Sequence, residues 1–159
     1  MSFQVTIEGA DLVSLRIGSL ISSLPGAQRK LVSAVAAEVE TQTRRRIENE
    51  KTGPDGSKWP DWSPATVKLY AKLGKAGHML HQEGKLLDSI RAKAISDEQA
   101  EVSANRVYAA IQQVGGLAGR GHKVRIPARP YLGISAENAA DIDAVVSGLA
   151  AKILGEAGL

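Results

Sequence analysis

Apolar positions change period several times along this chain, and each change marks an element. Phe3, Val5 and Ile7 alternate with Gln4, Thr6 and Glu8, a period of two that predicts a short strand over residues 2–8. Gly9 ends it. Leu12, Val13, Leu15, Ile17, Leu20, Ile21 and Leu24 recur at helical spacing, which predicts a helix from about Asp11 to Leu24, stopped by Pro25-Gly26. A longer helix is predicted from Ala27 to Glu50, with Leu31, Val32, Val35, Ala36, Val39, Thr43 and Ile47 in one stripe. At 1.5 Å per residue it is ~35 Å long. Small residues at its centre, Ser33, Ala34, Ala36 and Ala37, let a helix or sheet approach closely.

Residues 51–63 hold two glycines, two prolines and the turn pair Asp55-Gly56, so they read as a loop. Both tryptophans, Trp59 and Trp62, fall in it. Ser63 as N-cap and Pro64 at the first helical position start a helix that runs to about Leu73, with Val67, Leu69, Tyr70 and Leu73 as its apolar set. A Gly-containing connection over 74–79 and a short helical stretch over 84–89 follow. Arg91–Ile95 and Ala100–Ala104 read as strands joined by a turn over 96–99. Asn105 is placed to cap a helix carrying Val107, Tyr108, Ile111 and Val114, which Gly115-Gly116 ends; Tyr108 and Ile111 share its core face. Residues 115–125 read as a basic glycine loop, and Val124–Ile126 as the start of an edge strand. Ser135 caps a last helix, Ala136–Glu156, with a core stripe of Ile142, Val145, Val146, Leu149 and Ile153.

Strands and helices do not alternate regularly, which argues against a parallel sheet. The expected fold class is α+β: four to five helices, two of them long, with a small antiparallel sheet. No repeat or boundary is visible, so residues 1–159 read as a single domain.

Composition narrows the function. Hydrophobic residues make up 43% and aromatics 4%, so the core is aliphatic and closely packed. With no cysteine there is neither a disulfide framework nor a thiolate metal site. The start of the chain lacks a signal-peptide pattern, and no apolar run approaches the ~20 residues of a membrane span, so a soluble protein made in the cytoplasm, without a membrane partner, is expected. The net charge of +3 is too small to identify a nucleic-acid binder.

Catalytic motifs are missing. His78 and His81 stand three apart without a third ligand at a convincing spacing, and read as solvated. There is no G-x-S-x-G elbow, and Gly115–Gly121 lacks the Gly-Lys-Ser/Thr ending of a phosphate loop. A small hydrolase built on His78, His81 and His122 has no substrate class that the sequence indicates. The expectation is a protein that is not an enzyme, with no cofactor and no small-molecule substrate.

Four segments together resemble the phage virion morphogenesis family, which includes tail-completion proteins of Mu-like and related tailed phages. Gly56-Ser57-Lys58-Trp59-Pro60 with Ser63-Pro64 and Thr66 is similar to its Gly-x-x-Trp-x-x-Leu-x-x-x-Thr segment, with Trp62 near the usual leucine. Residues 80–90 resemble Leu-x-x-x-Gly-x-Leu-x-x-Ser-Ile. Residues 108–116 resemble Tyr-Ala-x-Ile-His-Gln-x-Gly, with Gln112 in place of the histidine, so no role of that histidine carries over. Residues 126–133, Ile-Pro-Ala-Arg-Pro-Tyr-Leu-Gly, are close to Ile-Pro-Ala-Arg-Pro-Phe-Leu-Gly. The resemblance implies a structural virion protein: a ring-forming subunit in tail completion or head–tail joining, found in the neck or tail of the particle and in the host bacterial cytoplasm during assembly. Its implied partners are further copies of itself, other neck or tail proteins, and phage DNA in passage. It implies no catalytic residues.

Within that frame the candidate protein-contact residues are Trp59, Trp62, Arg129 and Tyr131. Trp59 beside Pro60 is a rigid anchor, either for a partner's pocket or for the roof of its own core. Arg129, its backbone restricted by Pro130, serves either an internal salt bridge or a subunit contact. Arg120, His122, Lys123 and Arg125 are candidates to face DNA, to meet an acidic neighbour, or to be solvated. Arg44-Arg45-Arg46 reads as a solvated helix end whose charge suits the dipole. The alternative is a nucleic-acid-binding module that uses this cluster together with the loop 115–125.

Overall fold

The computed structural model describes residues 3–8, 26–74 and 78–156, and the helix expected over 11–24 lies outside them. The elements are β1 (Phe3–Glu8), α1 (Ala27–Arg45) continued by one π turn (Arg46–Glu50), α2 (Pro64–Lys72), a 3-10 turn (Leu87–Ser89), β2 (Ile90–Ala94), β3 (Gln99–Ala104), α3 (Ala109–Val114), β4 (Gly116–Ala118), a second 3-10 turn (Arg120–His122), β5 (Val124–Ile126) and α4 (Ala136–Glu156). Helices and antiparallel hairpins make this an α+β fold. There are two sheets, not one: a three-stranded sheet in the order β1-β3-β2, and a two-stranded β4-β5 hairpin. The chain divides into two compact units.

One unit contains the chain up to Gln42 from Gln4, Arg91–Val102, and the residues from Ile134 on. Of the small residues expected to allow close approach, Ala36 does so: with Val32 it packs on Ala100 of β3, and Ala92 and Ala94 of β2 lie against them, whereas Ser33 and Ala37 are exposed. Ala27 and Leu31 of α1 meet Leu149, Ala150 and Ile153 of α4. Glu40 fixes the sheet edge by accepting the Ala92 N–H at 2.7 Å. Ser135 caps α4 reciprocally: its hydroxyl accepts the Asn138 N–H at 3.0 Å, and the Asn138 side chain accepts the Ser135 N–H at 3.3 Å.

The other unit holds Thr43–Ile90 and Ser103–Gly133. The predicted long helix changes geometry inside it. The Lys51 N–H bonds the Arg46 carbonyl at 3.0 Å, a five-residue step, and Lys51 turns left-handed at φ 55° to end the helix. Its ammonium then donates to the carbonyls of Ile47 and Met79. Burial draws the Lys51 pKa down, offset in part by Glu48. The loop after it is a tight hairpin bridged between Thr52 and Lys58. Asp55 organises its tip by accepting from the Ser57 N–H at 3.0 Å and hydroxyl at 2.6 Å, which holds the Asp55 carboxyl below its ordinary pKa.

Candidate functional site

The segment Pro127–Gly133 has no strand partner, so its backbone groups must be satisfied by side chains and turns. Four residues on three elements do this. From α3, Gln113 accepts the N–H groups of Tyr131 and Leu132, both at 3.0 Å, and donates to the Leu132 carbonyl at 3.0 Å. From the π turn, Arg46 donates to the carbonyls of Tyr131 at 2.9 Å and Gly133 at 3.1 Å. From the loop before α2, the Trp59 indole N–H donates to the Pro130 carbonyl at 2.9 Å. From the end of α3, the Gln112 carbonyl accepts the Arg129 N–H at 2.7 Å. The Tyr131 hydroxyl reaches the Ala109 carbonyl at 3.3 Å. Gly133 lies against Pro54, leaving no room for a Cβ.

These contacts correct the expected surface roles of three residues. Trp59, Arg129 and Tyr131 are 3%, 5% and 0% exposed, so none offers a contact surface in this fold. Trp59 roofs its own core. In place of the internal salt bridge expected as one alternative for Arg129, its guanidinium donates to the Pro60 carbonyl at 2.9 Å and the Asp61 carbonyl at 3.1 Å. Burial lowers its pKa and the nearby Asp61 charge raises it. Burial pushes the Tyr131 phenol well above its ordinary pKa.

Arg46 is a further correction. Instead of a solvated helix end it is 1% exposed, with Glu50 at 3.8 Å beside its guanidinium. Burial lowers its pKa most, opposed by Glu50. Arg45 bonds Glu50 at 2.9 Å and Arg44 donates to the Ile90 carbonyl at 3.0 Å. Each of the three arginines therefore has a partner within the fold, Arg46 buried and Arg44 and Arg45 partly exposed.

Beside this clamp lies a cleft of about 690 Å³. Trp62, Tyr70, Tyr108, Gln112, Ile126 and Arg129 are among its walls. Trp62 is half-buried and packs edge-on against Tyr70 with centroids 4.9 Å apart. Tyr108, expected in the core, is 42% exposed because α3 starts only after it. Charges of both signs, Asp61, Glu83, Lys85 and Arg125, line the cleft. Glu83 bonds Lys85 and holds its ammonium pKa up. Among the described residues no group of His, Asp or Glu is placed to hold a metal ion.

The basic stretch 115–125 is a built hairpin rather than a loop. Gly116 pairs with Ile126, Leu117 with Arg125 and Ala118 with Val124. Arg120, His122, Lys123 and Arg125 are all exposed at or near its tip. Leu117 and Val124 are exposed with them, as are Val67, Leu69 and Leu73 on α2, and Val107 before α3. Helix α2 itself buries no residue, although Ser63 caps it as predicted.

The four short segments that resemble one family, spread between residues 56 and 133, all contribute to this unit. The model of the phage virion morphogenesis family matches residues 11–149. A relative, Mu-like prophage FluMu G protein 2 of Haemophilus influenzae, is 43% identical over 79 residues, 50% of this chain. That match covers 54% of the relative, so the chain spans about half the length of the protein it matches. No solved structure matches the chain. With the family model extending over most of its length, the chain belongs to the phage virion morphogenesis family, and its role is a structural one connected with the phage virion.

Proposed function

We propose that this chain is a ring-forming subunit of a tailed phage, acting in tail completion or head–tail joining at the neck or tail. The observation that supports this best is the distribution of exposed apolar side chains. Val67, Leu69, Leu73, Tyr108, Leu117 and Val124 belong to the unit that gathers the four family-like segments. Apolar groups left in water beside an aromatic cleft favour protein contacts. The buried clamp of Arg46, Gln113, Trp59 and Arg129 gives this surface a rigid base. One family match, over residues 11–149, runs through both units, which supports reading residues 1–159 as one functional domain. Further copies of the chain and other neck or tail proteins are the partners this reading requires.

The test is removal of the gene from its phage, followed by electron microscopy of the lysate and mass spectrometry of wild-type particles. Heads and tails that fail to join, or tails of abnormal length, together with the protein in purified wild-type particles, are expected. Normal particles without the gene, and no trace of the protein in virions, would overturn the proposal.

A second reading has one observation in its favour: the exposed cations Arg120, Lys123 and Arg125, with His122, at the hairpin tip. In a ring these side chains would face DNA in passage. Titration with duplex DNA at low salt is expected to show binding that weakens steeply as salt rises; absence of binding at low salt disposes of this reading.

A further inference from the structure

We infer that the β4–β5 hairpin of one copy docks on the exposed face of α4 of a second copy. The inference rests on the proposed ring and names the contact that would build it. Charge is segregated between the two elements. From Gly115 to Pro127 the sequence has three full cations, Arg120, Lys123 and Arg125, and no acid. Three of the four acids of α4, Glu137, Asp141 and Asp143, lie in its N-terminal half, and the other half has Glu156 and the one cation, Lys152.

Shape and polarity complement one another as well. Leu117 and Val124 are more than half exposed on the hairpin, 59% and 53%. Surfaces that meet only phosphate present polar groups, so these side chains favour a protein partner over DNA. The exposed residues of α4 include Ala140, Ala144, Ser147, Gly148 and Ala151. Nothing lies within 4 Å of where a Cβ on Gly148 would be, so this part of the helix is low and open. A hairpin laid there on the face that Leu117 shares with its register partner Arg125 would set Leu117 on small residues while its cations reach Glu137 and Asp143. The two surfaces differ, and every copy has both. Such a head-to-tail contact closes into a ring when the rotation permits.

Charge reversal in the full-length chain tests the contact. One variant has Arg120→Glu, Lys123→Glu and Arg125→Glu; the other has Glu137→Lys and Asp143→Lys. All five positions are exposed, and unchanged melting temperatures would confirm that folding is intact. Self-association of each variant alone, read by sedimentation at ~0.1 M salt, should weaken at least tenfold. An equimolar mixture should recover it, because each reversed surface then meets its complement in both directions. The natural absence of cysteine supplies a second readout: Lys123→Cys and Glu137→Cys chains with different tags should form a mixed disulfide on oxidation. The same pair placed in phage particles reports on the assembled state if association needs a template. Particles that contain the protein but give no mixed disulfide would overturn this contact and leave the ring standing. Absence from particles would overturn both. Loss of DNA binding on hairpin reversal, with self-association unchanged, would assign the hairpin to DNA instead.

Discussion

Gln113 holds Tyr131 by the backbone, its side-chain Oε1 accepting the Tyr131 N–H at 3.0 Å as a neighbouring strand would. The same amide also serves both polar groups of Leu132. One side chain thus replaces a stretch of sheet. Gln113→Leu would leave two buried N–H groups and one carbonyl without partners, at about 1–3 kcal/mol each and less than additive in sum. A loss of roughly 3 kcal/mol or more is expected in urea unfolding. Gln113→Glu keeps the acceptor but loses the donor and buries a charge, so it should not rescue. A loss under about 1 kcal/mol for Gln113→Leu would mean that the segment finds other partners.

Arg46 secures the same segment from the other side, through the carbonyls of Tyr131 and Gly133. Arg46→Met should cost about 3–5 kcal/mol, because two buried acceptors lose a charged donor. Arg46→Lys should recover only part, since the ammonium of a shorter side chain must reach the two carbonyls that Nη1 of Arg46 now serves. Exposed Arg29, 3.4 Å from Asp97, is the contrast: Arg29→Met should change stability by less than about 1 kcal/mol.

Legibility from sequence followed local physics. Helix α4 has the predicted bounds because Ser135 provides a cap and the apolar period runs unbroken behind it. Helix α2 was equally clear from Ser63-Pro64, but its apolar side chains proved exposed, since periodicity reveals a stripe and not what covers it. Strand β4 was hidden because Gly116-Leu117-Ala118 has no alternation; only pairing with Val124–Ile126 makes it a strand. The candidate site was legible as a set of segments but not as a set of roles. Trp59, Arg129 and Tyr131 were found, yet as surface contacts, because tertiary contacts alone decide whether a large side chain faces inward. Arg46 and Gln113 were missed, although both carried a signal in helical phase. Arg46 follows buried Thr43 by three positions, and Gln113 follows buried Ala109 by four.

Alkaline pH should expose the burial of Tyr131. Its phenol pKa is raised in the folded chain, so the folded state retains the proton after the unfolded chain has released it. The stabilisation is fully present below the ordinary tyrosine pKa of ~10 and is lost as pH rises above it. Wild-type stability should therefore fall more steeply between about pH 9.5 and 11 than that of Tyr131→Phe. At pH 7 the phenylalanine variant should be weaker by only about 1 kcal/mol, the loss of one long hydrogen bond to Ala109. Parallel slopes in the two chains would show that the phenol ionises as readily folded as unfolded.

Gly115 combines a glycine-only backbone with crowding, whereas Gly56 is uncrowded. Both have positive φ, +72° and +77°. A Cβ on Gly115 would lie 2.8 Å from the Ala128 nitrogen and 3.0 Å from the Ile126 carbonyl oxygen, whereas one on Gly56 meets nothing within 4 Å. Gly56→Ala should cost about 1 kcal/mol for the left-handed backbone alone. Gly115→Ala should cost clearly more, roughly 3 kcal/mol, since backbone atoms at the hairpin base must move as well. Equal melting temperatures for the two variants would show that the hairpin base yields without cost.

Helix α2 should matter to assembly and hardly at all to folding. It buries no residue, and Leu69 is 53% exposed. Leu69→Ser removes apolar surface from water in the free subunit, so stability should change by no more than about 0.5 kcal/mol. In a particle the same substitution would remove contact from an interface that α2 helps to form, and incorporation should drop severalfold in a complementation assay against wild type. Tyr70→Ser differs, because the ring packs on Trp62 at 4.9 Å, and it should lower both stability and incorporation. Normal incorporation of the Leu69→Ser chain would place the assembly contact away from α2, leaving the hairpin and the aromatic cleft to carry it.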